Sequence, residues 1–196
     1  MLKLRGLMGH ALSDRSTPRA LAQARQVIEF KGQLEHFPHL TEITARDLAT
    51  LDAGERPADW RKSPVSVTLD FGFADLRETL PAVTGKVSAE LPAVCQRCLE
   101  VCTIALSQDL RYLLLPAEQS GGAPEDFEVW ELDDATIRPA ELVEEALVMA
   151  LPVAATHARP EDCGSLVTSA DGGQAEGDEP TRPFAGLREL MNEQKR

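Results

Sequence analysis

Val94-Cys95-Gln96-Arg97-Cys98-Leu99-Glu100-Val101-Cys102 carries three of the four cysteines of the chain, and its reading decides how the surrounding sequence folds. Working outward, residues 82–94 place Val83, Val87, Ala89, Leu91 and Ala93 at odd positions. Residues 99–115 place Cys102, Ile104, Leu106, Leu110, Tyr112 and Leu114 at even positions. A period of two puts successive side chains on opposite faces of a strand, and two such strands joined by a short turn pair antiparallel. The stretch is therefore predicted to be a hairpin with C-x-x-C at its tip.

Further out, residues 65–73 alternate Val65, Val67, Leu69, Phe71 and Phe73 with small or polar residues, the clearest strand in the sequence. Ile28, Phe30 and Leu34 share one face of an extended segment over residues 25–35, in which Gly32 is expected to form a bulge. Residues 1–16 lack periodicity and are expected to be a loose leader. Ser16-Thr17-Pro18 reads as a hydroxyl cap and first-turn proline opening a short helix. Residues 40–51 space Leu40, Ile43, Leu48 and Leu51 as a helix does. Arg138-Pro139 opens another helix whose apolar face is Leu142, Val143, Ala146, Leu147 and Ala150, with Glu141, Glu144 and Glu145 turned largely away, and Pro152 stops it. The fold class is α+β: an antiparallel sheet, open or barrel-like, with a C-x-x-C hairpin tip and a few packed helices. Residues 17–163 form the expected domain, 164–182 an acidic disordered linker, and 183–196 an amphipathic helix or tail.

Charge is unevenly placed. Residues 1–111 hold fourteen basic and fourteen acidic side chains, whereas residues 112–196 hold six and eighteen, so the net charge of −12 lies entirely in the second part. Residues 117–134 alone carry seven acids and no base, around a short strand expected near residues 127–130. Sheath-like binding to nucleic-acid backbones requires clustered Lys and Arg, so DNA is excluded as a partner and a basic protein is favoured. Arg15, Arg19 and Arg25 lie close in sequence and leave direct RNA contact as a lesser reading. There is no membrane-length apolar run and no signal-peptide core, and the expected location is the cytoplasm.

Cys95 and Cys98 are spaced as two ligands of one zinc ion, half of a tetrahedral site. His157 and Cys163 would supply the other half by tying the segment after the helix to the hairpin tip. The competing reading is four thiol and imidazole groups that merely stabilise a turn. A thiol-redox or metal-dependent enzyme centred on Cys95 and Cys98 is the alternative from another class, but thioredoxin-type motifs open a helix after a parallel strand, and here both flanks are antiparallel. Cys102 falls in line with Ile104 and Leu106 and belongs to the core. No phosphate loop, nucleophile elbow or triad order is present, so catalytic residues are not assigned.

Taken together, these segments resemble the YceD family, the large ribosomal RNA subunit accumulation proteins. Cys95-Gln96-Arg97-Cys98-Leu99-Glu100 resembles its central motif, and Val143-Glu144-Glu145-Ala146-Leu147 running into Ala150-Leu151-Pro152 resembles its following helix. His157 with Cys163 resembles the downstream His-and-Cys segment, and Arg182-Pro183-Phe184-Ala185-Gly186-Leu187 the C-terminal motif, from which it departs at Arg182 and Gly186. The resemblance implies a non-enzymatic factor for 23S ribosomal RNA synthesis, processing or stability and for large-subunit assembly. It implies as partner a basic large-subunit ribosomal protein or pre-ribosomal particle. Phe184, Leu187 and Leu190, spaced along one helical stripe, are the expected partner-binding residues.

Overall fold

The computed structural model describes residues 8–116 and 124–163, with side chains from residue 11 onward. The chain divides into two units, Met1–Cys163 and Gly164–Arg196, and the described residues all belong to the first.

Five strands make one sheet: β1 (Val27–Gln33), β2 (Pro64–Phe73), β3 (Pro81–Val94), β4 (Val101–Pro116) and β5 (Glu128–Leu132), paired side by side in that order. The first four are antiparallel, and the hairpin runs from Ala82 opposite Leu113 to Val94 opposite Val101. β5 instead pairs parallel with β4, from Tyr112 beside Glu128 to Pro116 beside Leu132. The α+β class and the four antiparallel strands are as expected, and the parallel β5 makes the sheet mixed rather than wholly antiparallel. A parallel neighbour needs the chain to return before it pairs, and the alternation inside a short strand carries no record of that return. β1 and β5 are the edges, and the sheet is open among the described residues.

Among the described residues, four α-helices cover one face: α1 (Met8–Ser13), α2 (Pro18–Gln23), α3 (Pro38–Leu48) and α4 (Pro139–Met149). The last three start on a proline, whose fixed φ suits the first turn and whose missing N–H is not needed there. The Thr17 hydroxyl accepts from the N–H of Ala20 at 3.2 Å and caps α2 as the sequence predicts. Leu142, Val143, Ala146 and Leu147 of α4 share one core cluster with inward residues of the strands, among them Val67, Leu69, Val87, Leu91 and Leu110. The other face of the sheet is also buried at one end, where Ala82, Leu113 and Leu115 meet Leu80, Phe127 and Val129. At the other end, toward the hairpin tip, Leu48, Leu51 and Val94 form a small separate cluster.

Two local expectations are overturned. Residues 8–13 are helical rather than a loose leader: Leu12 is buried, and Ser16 exchanges both main-chain hydrogen bonds with Ile137, at 3.0 and 2.9 Å. Six residues are too few to show a helical period in sequence. Gly32 makes no bulge, since it pairs in register with Val65. The Phe30 ring lies over it, 2.1 Å from where a Cβ would stand, so the glycine makes room for an aromatic ring.

Candidate metal centre

The hairpin tip is built from main-chain hydrogen bonds that the two strands prolong beyond their ends. Cys95 N–H donates to the Glu100 carbonyl at 2.9 Å, and inside that pair Leu99 N–H donates to the Cys95 carbonyl at 2.8 Å. Closing so tight a loop requires a left-handed residue, and Leu99 takes it with φ of 62°. Val94 N–H donates to an Asp47 carboxylate oxygen at 2.8 Å, which ties the base of the tip to α3. An acid in the last turn of a helix opposes the helix dipole, and this bond is the compensation.

The segment after α4 is drawn onto the same tip. Gln96 N–H donates to the Ala155 carbonyl at 2.8 Å, and the Arg97 guanidinium donates to the His157 carbonyl at 2.8 Å. Pro160–Asp162 then makes one 3-10 turn, fastened by two hydrogen bonds from Arg159 to the Asp162 carboxylate at 3.1 and 2.9 Å. That turn delivers Cys163, whose side chain is buried against the tip.

Cys95, Cys98, His157 and Cys163 converge, with one donor atom from each lying within 4.8 Å of every other. The Sγ atoms of Cys95 and Cys163 are 3.8 Å apart, and His157 Nδ1 lies 3.6 Å from Cys98 Sγ and 3.5 Å from Cys163 Sγ. A tetrahedron with Zn–S near 2.3 Å and Zn–N near 2.05 Å has edges of about 3.8 Å between sulfurs and about 3.6 Å between sulfur and nitrogen. The donor set and its spacing therefore fit a tetrahedral metal. The cysteines are buried and His157 is half-buried, as a closed structural site requires. The four residues singled out in the sequence are thus brought together, across 68 positions in the case of Cys95 and Cys163.

The electrostatics of the cluster are unequal. Burial opposes a charge on Cys95, but the main-chain N–H groups of Cys98, Arg97 and His157 and the His157 ring outweigh it and draw the thiol down to about 5. Burial, and then hydrogen bonds and charge from Cys95 and Cys98, push Cys163 up to about 11. N–H groups aimed at a thiolate are the outer shell that orients a metal-binding cysteine. Cys102 stands outside the cluster as a core residue, its thiol pushed up by burial and then by its acidic neighbours.

The sequence missed the positioning residues. Asp47, Gln96 and Arg97 hold the site by bonds to main-chain groups, and no spacing rule signals such partners. Beside the tip, a cleft of about 200 Å³ opens between α3 and the clasped segment, lined by Ile43, Leu91, Ile104, Pro152 and Val153 among others. Of the three arginines considered for RNA, Arg15 is engaged with Asp134 at 3.1 Å and Glu141 at 3.8 Å. No helix of the described residues is long and apolar enough to cross a membrane. Phe184, Leu187 and Leu190, with the whole of 164–182, lie outside the described residues.

Among known proteins, no curated sequence and no solved structure matches the chain. One family model does, described as large ribosomal RNA subunit accumulation protein YceD, and it matches residues 83–191. That match runs from the start of the hairpin through the four clustered ligands and past half of the chain, so the protein belongs to the YceD family.

Proposed function

We propose that this protein is a non-enzymatic cytoplasmic factor for the accumulation of large-subunit ribosomal RNA, held in shape by one structural zinc ion. The observation that carries the zinc is the donor geometry: three sulfurs and one imidazole nitrogen at tetrahedral edge lengths. Zinc bound there would join the hairpin tip to the segment after α4 and leave no open position for a substrate. The family description supports the ribosomal role. The charge of −12, all of it beyond residue 111, supports a basic ribosomal protein or a pre-ribosomal particle as partner, because phosphate backbones would repel it. On this reading Phe184, Leu187 and Leu190 offer the partner an apolar stripe next to the acidic stretch.

Two measurements test it. Metal analysis of purified protein is expected to give one zinc per chain, lost on substitution of Cys95 or Cys163 by Ser. A deletion strain is expected to show reduced 23S ribosomal RNA and a deficit of large subunits; unchanged subunit profiles would sink the ribosomal role. The enzyme reading draws on the low pKa of Cys95, but a thiol with no exposed surface is out of reach of a substrate disulfide. Rapid alkylation of Cys95 in metal-loaded protein would restore that reading.

A further inference from the structure

We propose that the hairpin tip is a protein-docking surface, with Leu99 as its apolar anchor and a basic partner as its occupant; the choice of partner rests on the function proposed above. The observation is a local rule broken at a cost. Three non-glycine residues have positive φ among the described residues: Arg25, Glu78 and Leu99. Only Leu99 is apolar, and the residue is 64% exposed, so little burial offsets the strain. The turn itself needs only a left-handed residue after Cys98, a position that glycine fills without strain and asparagine with little. A leucine there neither closes the turn better nor joins the core. Strain held at an exposed apolar side chain is accounted for by something outside the chain that covers it.

The rest of the tip indicates what covers it. Its exposed side chains are Gln96, Arg97, Leu99 and Glu100. The Arg97 guanidinium is already turned back onto the His157 carbonyl, and Arg159 in the clasped segment is paired with Asp162 at 2.9 Å. Arg159 is thus neutralised within the chain, while Arg97 keeps its charge but is tethered to the His157 carbonyl. Leu99 and Glu100 are left to face outward, one apolar and one acidic. Nucleic acid asks for clustered cations and stacking groups, whereas the tip carries one arginine beside the acidic Glu100 and no aromatic side chain. A protein with an apolar pocket bordered by Lys or Arg fits both side chains.

The test uses the full chain and two substitutions, Leu99→Gly and Leu99→Asn, which suit the left-handed turn and remove the anchor. Each variant and the unaltered protein are titrated at low salt against individually purified basic proteins of the large subunit, and against a 23S ribosomal RNA transcript. Metal content and thermal unfolding are followed in parallel. Expected are an unchanged zinc content, a Tm that holds or rises by about 3 °C, and at least tenfold weaker binding of whichever protein the unaltered chain binds. Undiminished binding by both variants overturns the docking surface while leaving the ribosomal reading intact. A fall in Tm of more than about 5 °C overturns it too, since Leu99 would then be structural. Weakened binding of the RNA transcript alone overturns it in favour of an RNA contact. If the unaltered chain binds none of the proteins, the proposed function itself fails and the docking surface with it.

Discussion

At Gly85 the central strands approach more closely than any side chain allows. A Cβ there would stand 2.0 Å from the Thr68 carbonyl oxygen and 3.0 Å from Leu69 Cα, both main-chain atoms of β2 that cannot swing aside. Gly85→Ala is therefore expected to destabilise the protein by about 2 kcal/mol or more, the scale of forced overpacking. Gly72, on the same pair of strands, has nothing within 4 Å of its Cβ position, and Gly72→Ala should be close to neutral. Urea unfolding of the two variants checks this: the midpoint should fall only for Gly85→Ala, with the slope unchanged. Gly85 falls at an inward position of its strand's alternation and Gly72 at an outward one of its own, but only the structure shows main-chain atoms where the Gly85 Cβ would stand.

Among the elements, α3 shows how one helix is completed by another. Phe37 precedes it and has no oxygen to cap the first turn, but Glu144 of α4 accepts from Leu40 N–H at 2.9 Å across 104 positions. The periodicity of α4 turns Glu144 toward solvent; the structure finds it half-buried and employed. Glu144→Ala is expected to cost about 1 kcal/mol, the scale of a lost helix cap, and to lower Tm by about 3 °C. Glu144→Gln keeps an oxygen acceptor and should lose less. Amide exchange at Leu40 should quicken in the first variant and stay slow in the second, and equal exchange in both would remove the capping role. The same logic explains Asp47, an acid in an unfavourable helix position that makes sense only once Val94 N–H is seen beside it.

For the molecule as a whole, the clustered ligands bind the segment after α4 to the far end of the hairpin. A ligand that binds only the folded state adds stability by mass action, about 4 kcal/mol at a thousandfold excess over its dissociation constant. On the proposed zinc reading, stripping the metal with a chelator is thus expected to lower Tm by about 10 °C. It should also open residues 151–163 to limited proteolysis while the sheet and its main core stay protected. A chelated protein with the same Tm and the same fragments would mean that thiol and imidazole contacts alone hold the clasp. The Cys95→Ser variant should reproduce the chelator effect without any chelator present, which separates metal loss from other actions of the reagent.

Much of this architecture is a local matter. Alternation in 65–73, 82–94 and 99–115 is enough to place the three central strands, because a one-residue slip would turn every Val and Leu to the wrong face. Thr17-Pro18 starts a helix by its own chemistry, and the C-x-x-C spacing with a later His and Cys is enough to nominate Cys95, Cys98, His157 and Cys163. Tertiary structure alone decided the rest. The parallel pairing of β5, the bridge from Ser16 to Ile137 just beyond the helix at residues 8–13, and the reach of Glu144 to Leu40 are contacts between distant segments. The strained, uncovered Leu99 belongs there too, since a backbone angle and an exposure exist only once the chain has closed on itself. A sequence states which groups are available at each position; which of them meet is set by the path of the chain between them.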